Sequence, residues 1–176
     1  MRKRLGVMCS GNGTNFENIV KSCWDHEVVL MVYNNENCGA AQRATKYGIP
    51  SAYFTHKEEA KIINEFKWQK VDYIILAGWM RILSEGFIEA FPNRIINVHP
   101  SLLPKYKGLH AVEQAINSKD KVTGCTVHYV NNELDGGEII EQAKVPIFDT
   151  DNTEILTKRI QREEYRILPE VIKKLP

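Results

Sequence analysis

The sequence lacks an excess of charge of either sign. Its 176 residues include 23 Lys and Arg against 22 Asp and Glu, which gives a formal net charge of +1. Surfaces that bind nucleic acid or an acidic membrane usually show a basic excess, so the composition predicts neither partner. An apolar fraction of 43% is close to the average for globular proteins and argues against a disordered chain.

Long apolar runs and patterned cysteines are also missing. The longest apolar run, YIILAGWM at 73–80, falls far short of a membrane-spanning helix, which needs ~18 residues or more. The four cysteines (Cys9, Cys23, Cys38 and Cys125) form no C-x-x-C pair and have no histidine at zinc spacing. We therefore expect reduced thiols, a cytoplasmic protein and no metal site.

What the chain does contain is a regular alternation of short apolar runs and segments with helical periodicity. Strands are predicted at 5–8, 28–33, 51–54, 71–77 and 94–98, and helices at 14–24, 39–47, 57–67, 84–90 and 111–118. This alternation is typical of right-handed βαβ units. The predicted fold class is therefore α/β, a mainly parallel twisted sheet with helices on both faces, Rossmann-like.

The pattern changes after Gly124. Two strands, at 125–130 and 138–148, follow each other without a helix between them, which predicts an antiparallel C-terminal strand element. A last helix is predicted at 152–174, bent or broken before Pro169 because proline cannot donate the helical hydrogen bond. The length suits a single domain over 1–176.

A loop with two glycines, CSGNGTNFEN at 9–18, joins the first strand to the first helix. Its backbone amides and the helix dipole can hold an anion such as phosphate, although a purely structural turn explains it equally well. The loop matches neither G-x-G-x-x-G nor the P-loop, so it indicates no dinucleotide or triphosphate. Thr14 and Glu17 have the spacing of a capping box, which predicts Thr14 as the N-cap.

Two polar residues end the apolar run in IINVHP at 95–100. Side chains alternate along a strand, so Asn97 and His99 should share one face at its carboxyl end, where α/β proteins bind ligands. Asp135, in LDGGE, is either a hairpin turn residue or a carboxylate that faces His99 and favours its protonated form. An amide, an imidazole and a carboxylate supply what acyl transfer to an amine needs, namely donors for an oxyanion and a proton route.

Three segments carry a resemblance to a known family. NVHPSLLPKYKGLHA at 97–111, LDGGEII at 134–140 and SGNGTN at 10–15 closely resemble the folate-dependent formyltransferases, and KYKGLHA and LDGG favour the branch that acts on glycinamide ribonucleotide. The resemblance implies formyl transfer from 10-formyltetrahydrofolate to the glycine amine of N1-(5-phosphoribosyl)glycinamide in purine biosynthesis. It implies small-molecule substrates and a monomer or homodimer.

The resemblance also assigns roles to residues. It implies that Asn97 and His99 polarise the formyl group, while Asp135 orders a water for proton transfer. It assigns the ribonucleotide to Gly13, Thr14, Asn15, Gln161 and Glu164, the first three on the phosphate and the last two on the glycinamide side. It assigns the folate to Lys57, Met80, Arg81, Ile82, Leu83, Asn97, Asn131, Asn132, Glu133, Leu134 and Asp135.

The chain departs from the family pattern at three points. Lys57 stands where an arginine usually reaches the folate, Lys107 stands where proline is common, and Pro176 ends the chain before a C-terminal extension that many relatives have. The short end fits either a compact form or a truncated homologue. Read without the resemblance, Ile82 and Leu83 would be core residues after a buried strand.

Two other functions fit the same residues. Water in place of the amine would make the chain a formyltetrahydrofolate deformylase, and loss of turnover would leave a non-catalytic ribonucleotide- or folate-binding module. A methionyl-tRNA formyltransferase is disfavoured because that family adds a basic second domain. His110 and His128 are expected to support the site rather than catalyse, and His26 and His56 to lie on the surface.

Overall fold

A computed structural model describes every residue from Met1 to Pro176. The elements in chain order are β1 (Arg4–Cys9), α1 (Thr14–Ser22), β2 (Glu27–Tyr33), α2 (Gly39–Lys46), β3 (Ser51–Tyr53), α3 (Glu59–Trp68), β4 (Tyr73–Leu76), α4 (Glu85–Ala90), β5 (Ile95–His99), α5 (Ala111–Asn117), β6 (Val122–Tyr129), β7 (Ile139–Pro146) and α6 (Thr153–Lys173). By their internal contacts these elements form two compact units, Met1–Asn97 and Val98–Pro176.

The first unit is built on parallel strands. They lie side by side in the order β3, β2, β1, β4, β5, and every neighbouring pair is parallel. All four residues of β4 are buried, as expected for a strand that is covered on both faces. The chain builds outward from β1 in one direction through β2 and β3, then in the other through β4 and β5. Ligands bind α/β sheets where the strand order reverses in this way, here at the carboxyl ends of β1 and β4.

Two loops leave the sheet at that point and are tied together. The backbone N–H of Ser10, after β1, donates to the carbonyl of Gly78, after β4, at 3.0 Å. The Ser10 hydroxyl in turn accepts a hydrogen bond from the N–H of Met80 at 2.9 Å. The two loops that carry predicted phosphate and folate residues therefore hold each other in place.

The second unit is built on an antiparallel pair. β6 pairs with β7 in a register that sets Cys125 opposite Ala143, with an irregularity between Val127 and His128. The long helix α6 packs against both strands and against α5. The sequence-based fold class is confirmed: the strands are mainly parallel, the C-terminal pair is antiparallel, and helices alternate with the parallel strands.

Two local predictions differ from the structure. The last helix is not broken at Pro169, which lies inside α6 and is buried. Its neighbours Leu168 and Ile172 are fully buried, and this apolar packing of the final turns offsets the hydrogen bond that proline cannot make. Helix α3 begins at Glu59, two residues later than predicted, because Glu58 accepts a hydrogen bond from the Thr55 N–H at 2.9 Å and closes a turn there.

None of the helices is both long enough and apolar enough to cross a membrane.

Candidate active site

His99 is the last residue of β5, and its imidazole is held on two sides. The side chain is only 7% exposed. Its Nε2 lies 2.8 Å from the backbone carbonyl of Tyr106. A carbonyl can only accept, so Nε2 carries the proton in this arrangement. The other ring nitrogen, Nδ1, lies 3.6 Å from Oδ2 of Asp135 and is the one left for a reacting group.

Asp135 is fixed by the backbone rather than by a cation. Its Oδ2 accepts a hydrogen bond from the N–H of Gly108 at 2.7 Å, and its side chain is 9% exposed. Its backbone has a left-handed φ of 50°, which aspartate tolerates better than most residues. The structure therefore brings these two predicted catalytic residues together.

His128, on β6, lies on the other side of the same carboxylate. Its Nδ1 donates to the Tyr129 carbonyl at 2.9 Å, and its Nε2 lies 3.9 Å from Oδ1 of Asp135. Burial lowers the pKa of His128 below its usual range, and the charge of Asp135 only partly opposes that effect. The structure places His128 beside the carboxylate, as expected for a supporting residue, whereas His110 is exposed.

The loop after β5 is anchored from the antiparallel pair. The Thr126 hydroxyl donates to the Ser101 carbonyl at 2.7 Å and accepts from the Leu103 N–H at 3.1 Å. The Gln142 side-chain amide donates to the Leu103 carbonyl at 2.9 Å. These bonds fix the path that carries the Tyr106 carbonyl to His99.

Lys107, the departure from the family pattern, has an ion pair. Its ammonium lies 3.0 Å from a carboxylate oxygen of Glu133, and the next residue, Gly108, bonds to Asp135. The loop that contains Lys107 is therefore joined at two points to the segment 131–135. A flexible lysine in place of proline is compensated by this second attachment.

Asn97 lies on β5 two residues before His99 and is half-buried. Both residues lie within β5 at a spacing of two, so the prediction that they share one face rests on strand alternation.

The loop of Gly11, Asn12, Gly13 and Thr14, here called the anion loop, has its carbonyls occupied. The Gly11 carbonyl accepts from the Ala40 N–H at 3.2 Å, and the Gly13 carbonyl from the Glu17 N–H at 2.9 Å. The Asn12 carbonyl accepts from Nε of Arg43 at 2.7 Å.

In a trans peptide the N–H points opposite to the carbonyl that precedes it. Because each carbonyl faces its donor, the N–H groups of Asn12, Gly13 and Thr14 point away from α2 and from the first turn of α1. Such a row of amides before a helix is suited to an anion.

The capping box predicted at the start of α1 is absent. Gly13, not Thr14, is the N-cap, with a left-handed φ of 74° and no side-chain cap. A Cβ at Gly13 would lie 2.6 Å from Cα of Ala40, so glycine is required there for space as well as for conformation. Glu17 does not reach back, because its carboxylate bonds to Arg43 and to the Tyr47 hydroxyl instead.

The predicted folate residues of the first unit are mostly exposed. Met80 and Ile82 are 70% and 78% exposed, and Arg81 and Lys57 also face solvent. Only Leu83 is buried, so the core interpretation holds for Leu83 and is wrong for Ile82. Exposed apolar side chains on a loop at the carboxyl ends of the strands are suited to an aromatic ligand.

The predicted folate residues of the second unit form a turn between β6 and β7. Asn131 bonds to the N–H of Glu133 through its side chain at 2.9 Å, and the Glu133 carbonyl accepts from Gly136 at 3.1 Å. Asn131, Asn132, Glu133 and Leu134 are exposed. Asp135 alone points inward, which separates its role from that of its neighbours.

Gln161 and Glu164 lie three residues apart on α6 and therefore on one helix face. A solvated surface pair would have both exposed, but Glu164 is 7% exposed and Gln161 is half-buried. The burial of Glu164 therefore argues against a solvated surface pair at these two positions.

The structure also shows the surroundings of the remaining cysteines and histidines. No group of three or more His, Cys, Asp or Glu side chains is arranged to hold a metal ion. Cys9, directly before the anion loop, is buried and its pKa is raised by that burial, so it is an inert thiol as predicted. His26 is buried, which makes the prediction of a surface position wrong for that histidine, whereas His56 is exposed.

The contacts that sequence reasoning missed are mainly backbone groups. Neither the Tyr106 carbonyl nor the Gly108 N–H carries a side-chain signature, and both depend on left-handed φ values of 56° and 79° at these residues. The glycine in KYKG was the one available signal of such a turn. Arg43 bonds to a carbonyl 31 positions away, and no pattern in the sequence links the two.

Comparison with known proteins gives consistent matches over almost the whole chain. The family model described as formyl transferase matches residues 3–172. The phosphoribosylglycinamide formyltransferase of Haemophilus influenzae is 40% identical over 97% of this chain and 86% of that protein. The trifunctional purine biosynthetic protein adenosine-3 of Drosophila melanogaster is also 40% identical over 97% of this chain, which spans only 14% of that longer protein.

Solved structures agree with the fold. Glycinamide ribonucleotide transformylase 1 of Symbiobacterium toebii superimposes with a TM-score of 0.95 at 37% identity, covering 98% of this chain and 86% of that one. Phosphoribosylglycinamide formyltransferase of Anaplasma phagocytophilum gives the same TM-score at 39% identity, with the same coverage.

Proposed function

Because the chain belongs to the formyl transferase family, we propose that it transfers the formyl group of 10-formyltetrahydrofolate to the glycine amine of N1-(5-phosphoribosyl)glycinamide. The observation that carries the proposal is the placement of His99, with one ring nitrogen on the Tyr106 carbonyl and the other 3.6 Å from Asp135. That arrangement supplies a donor for an oxyanion and a carboxylate beside it. No covalent intermediate on the protein is needed, because the substrate amine is itself a nucleophile.

The reaction is a nucleophilic addition followed by elimination. The amine nitrogen forms a bond to the formyl carbon, and the electron pair of the C=O bond moves to oxygen. Asn97 donates to that oxyanion through its amide, and His99 donates through Nδ1–H, a step in which the imidazole carries a proton on both ring nitrogens. Collapse of the intermediate breaks the bond from the formyl carbon to the folate nitrogen, and the proton lost by the attacking amine ends on that nitrogen.

Asp135 provides the charge and the acceptor for the proton transfer. Its Oδ2 is oriented by the Gly108 N–H and lies 3.6 Å from His99, while His128 lies 3.9 Å from Oδ1 on the other side. We infer that a water held by Asp135 relays the proton from the amine to the leaving nitrogen.

Substrate binding follows from the anion loop and α6. We propose that the amides of the anion loop, together with Gly13, Thr14 and Asn15, hold the ribonucleotide phosphate. Glu164 would then accept a hydrogen bond from the glycinamide portion, and Gln161 would donate one to it. The placement of Gln161 and Glu164 on one face of α6, away from a fully solvated surface, supports this assignment.

The folate contacts are proposed for two exposed segments. Met80, Arg81, Ile82 and Leu83 follow β4, and Asn131, Asn132, Glu133 and Leu134 precede Asp135. The exposure of Met80 and Ile82 supports apolar contact with a pterin, and Lys57 offers a cation to a folate carboxylate. We also propose that both units act as one formyltransferase domain, since the family match at 3–172 spans both.

We further propose that the protein acts in the cytoplasm, as a monomer or homodimer. The four cysteines are free and buried, which suits a reducing compartment.

The direct test is identification of the product. The protein is incubated with 10-formyltetrahydrofolate and the ribonucleotide, and the mixture is analysed by mass spectrometry. Formylated ribonucleotide formed in proportion to protein concentration supports the proposal. Binding of the ribonucleotide by calorimetry without any formylated product would instead indicate a non-catalytic module.

A further inference from the structure

Helix α2 lies against the anion loop and sets its path. A Cβ at Gly39, the first residue of α2, would lie 2.6 Å from Oδ1 of Asn12, and one at Gly13 would be equally close to Ala40. Two donors from α2 bond to the carbonyls of the loop: the N–H of Ala40 to Gly11 and Nε of Arg43 to Asn12. The path of the anion loop therefore depends on contacts with α2 as well as on α1, the helix that follows the loop.

Arg43 is itself oriented by a buried carboxylate. Glu17, 8% exposed, accepts hydrogen bonds from Arg43 and, at 2.8 Å, from the Tyr47 hydroxyl, and it pairs with Lys21 at 2.6 Å. A guanidinium is planar with its donors at fixed angles, so a bond from Nη1 to Glu17 helps to aim Nε at the Asn12 carbonyl. A lysine ammonium could not hold both partners in that fixed relation.

We propose that Arg43, oriented by Glu17, is a positioning residue that turns the Gly13 N–H toward the phosphate of the ribonucleotide. The peptide from Asn12 to Gly13 is planar, so a bond to the carbonyl on one side fixes the direction of the N–H on the other. The inference rests on the proposed function, which puts the phosphate at Gly13, Thr14 and Asn15. Arg43 acts through the peptide and does not touch the reacting atoms.

The charge of Glu17 makes the same pair important for an anion. Glu17 lies on the first turn of α1, next to the end of the helix where the phosphate would bind. A carboxylate there repels a phosphate unless cations offset it, and Arg43 and Lys21 are the two that pair with it. Loss of Arg43 therefore has two separable effects. The peptide group between Asn12 and Gly13 loses the bond that fixes its orientation, and the negative charge of Glu17 is less compensated.

The kinetic test compares two arginines that make similar bonds. Arg43→Ala should raise KM for the ribonucleotide at least about tenfold, as expected for loss of a charge-assisted hydrogen bond. The value of kcat at saturating ribonucleotide and KM for the formyl folate should stay close to those of the parent protein. Arg4→Ala is the matched control: Arg4 donates Nε to the Gln69 carbonyl at 2.9 Å and pairs with Glu27 at 3.4 Å, at the opposite end of β1. Equal KM values in the two variants would overturn the proposal.

Two more variants separate positioning from charge. Arg43→Lys keeps a cation beside Glu17 without the planar fork, and its KM should lie between those of the parent protein and Arg43→Ala. The double variant Glu17→Gln with Arg43→Ala removes the buried charge, but the peptide group between Asn12 and Gly13 still lacks its bond to Arg43. Its KM for the ribonucleotide should therefore remain high. Return of KM to the parent value in the double variant, or full activity in Arg43→Lys, would show that charge alone matters and would refute positioning.

A binding measurement keeps this inference distinct from the proposed function. Inorganic phosphate is titrated into ¹⁵N-labelled protein while the amide resonances of Gly13 and Thr14 are followed. Both should shift with saturation in the parent protein and in Arg4→Ala, and the apparent Kd should rise at least about tenfold in Arg43→Ala. Unchanged affinity in Arg43→Ala overturns the role of Arg43 whatever the turnover shows. If the parent protein transfers no formyl group while this difference persists, the proposed function fails and the role of Arg43 in phosphate binding stands.

Discussion

Nδ1 of His99 and Oδ2 of Asp135 lie 3.6 Å apart, which is too long for a direct hydrogen bond and short enough for strong charge interaction. The imidazole is fixed from behind by the Tyr106 carbonyl, and the carboxylate is fixed by the Gly108 N–H. Both groups are therefore held close together without forming a direct hydrogen bond to each other. A reacting oxygen or a water can lie beside the pair, within hydrogen-bond distance of both groups, but not between them.

Removing either proposed oxyanion donor should reduce turnover strongly. His99→Ala and Asn97→Ala should each lower kcat by at least ~10²–10³, the usual cost of losing one such donor. Steady-state formyl transfer at saturating substrates measures the effect, and circular dichroism checks the fold. Near-normal kcat in a folded variant would remove that residue from the mechanism.

Asp135→Asn should separate charge from shape. The amide oxygen can still accept from Gly108, so the loop should keep its path, but the negative charge beside His99 is lost. We expect kcat to fall by ~10² or more, as for loss of a proton-transfer group. Glu138→Gln, an exposed carboxylate three residues further on, is the matched control and should be close to the parent protein. Equal kcat for both variants would contradict the role of Asp135.

Glu164→Gln should weaken binding of the ribonucleotide. The change keeps the size of the buried side chain and replaces a charged carboxylate oxygen that would accept a hydrogen bond from the glycinamide portion. KM for the ribonucleotide should rise about tenfold, in line with loss of one hydrogen bond to a charged group. Glu163→Gln, whose carboxylate pairs with Arg166 instead, is the neighbouring control. If Glu163→Gln raised KM as much, the glycinamide contact would have to be moved away from Glu164.

His128 should make stability depend on pH on the acid side of neutrality. Burial lowers the pKa of His128, so as pH falls below the usual value of 6.5 the unfolded chain binds a proton that the folded protein does not. The free energy of unfolding should therefore decrease as pH falls through that range, by up to about 1.4 kcal/mol per pH unit for one proton.

Urea unfolding of the parent protein and of His128→Asn at several pH values checks this prediction. The loss of stability between neutral pH and the folded pKa should be smaller in the variant. Identical slopes in the two proteins would mean that His128 does not titrate differently on folding.

Sequence patterns could predict the frame of the site but not its final geometry. Alternation along a strand was enough to place Asn97 and His99 on one face, because that period is fixed by the backbone. The turn signal in LDGG left Asp135 open between a turn residue and a carboxylate facing His99, and the structure places it 3.6 Å from Nδ1. The groups that orient these residues, the Tyr106 carbonyl and the Gly108 N–H, depend on the exact path of a loop, which residue types alone do not determine.

Local rules failed where tertiary contacts were stronger. Thr14 and Glu17 fit a capping box, yet Glu17 bonds to Arg43 and Tyr47 from the next helix. Pro169 should end a helix, but burial of the last turns of α6 keeps it continuous. Ile82 looks like a core residue by type and is exposed, at the place where we propose that a ligand covers it.

The most direct test is the dependence of folate consumption on the ribonucleotide. Loss of 10-formyltetrahydrofolate is followed by absorbance with the protein present, first without and then with glycinamide ribonucleotide. A formyltransferase should show almost no change until the ribonucleotide is added and then form tetrahydrofolate in step with formylated ribonucleotide. Consumption at the same rate without the ribonucleotide would contradict the proposal and indicate hydrolysis of the formyl folate instead.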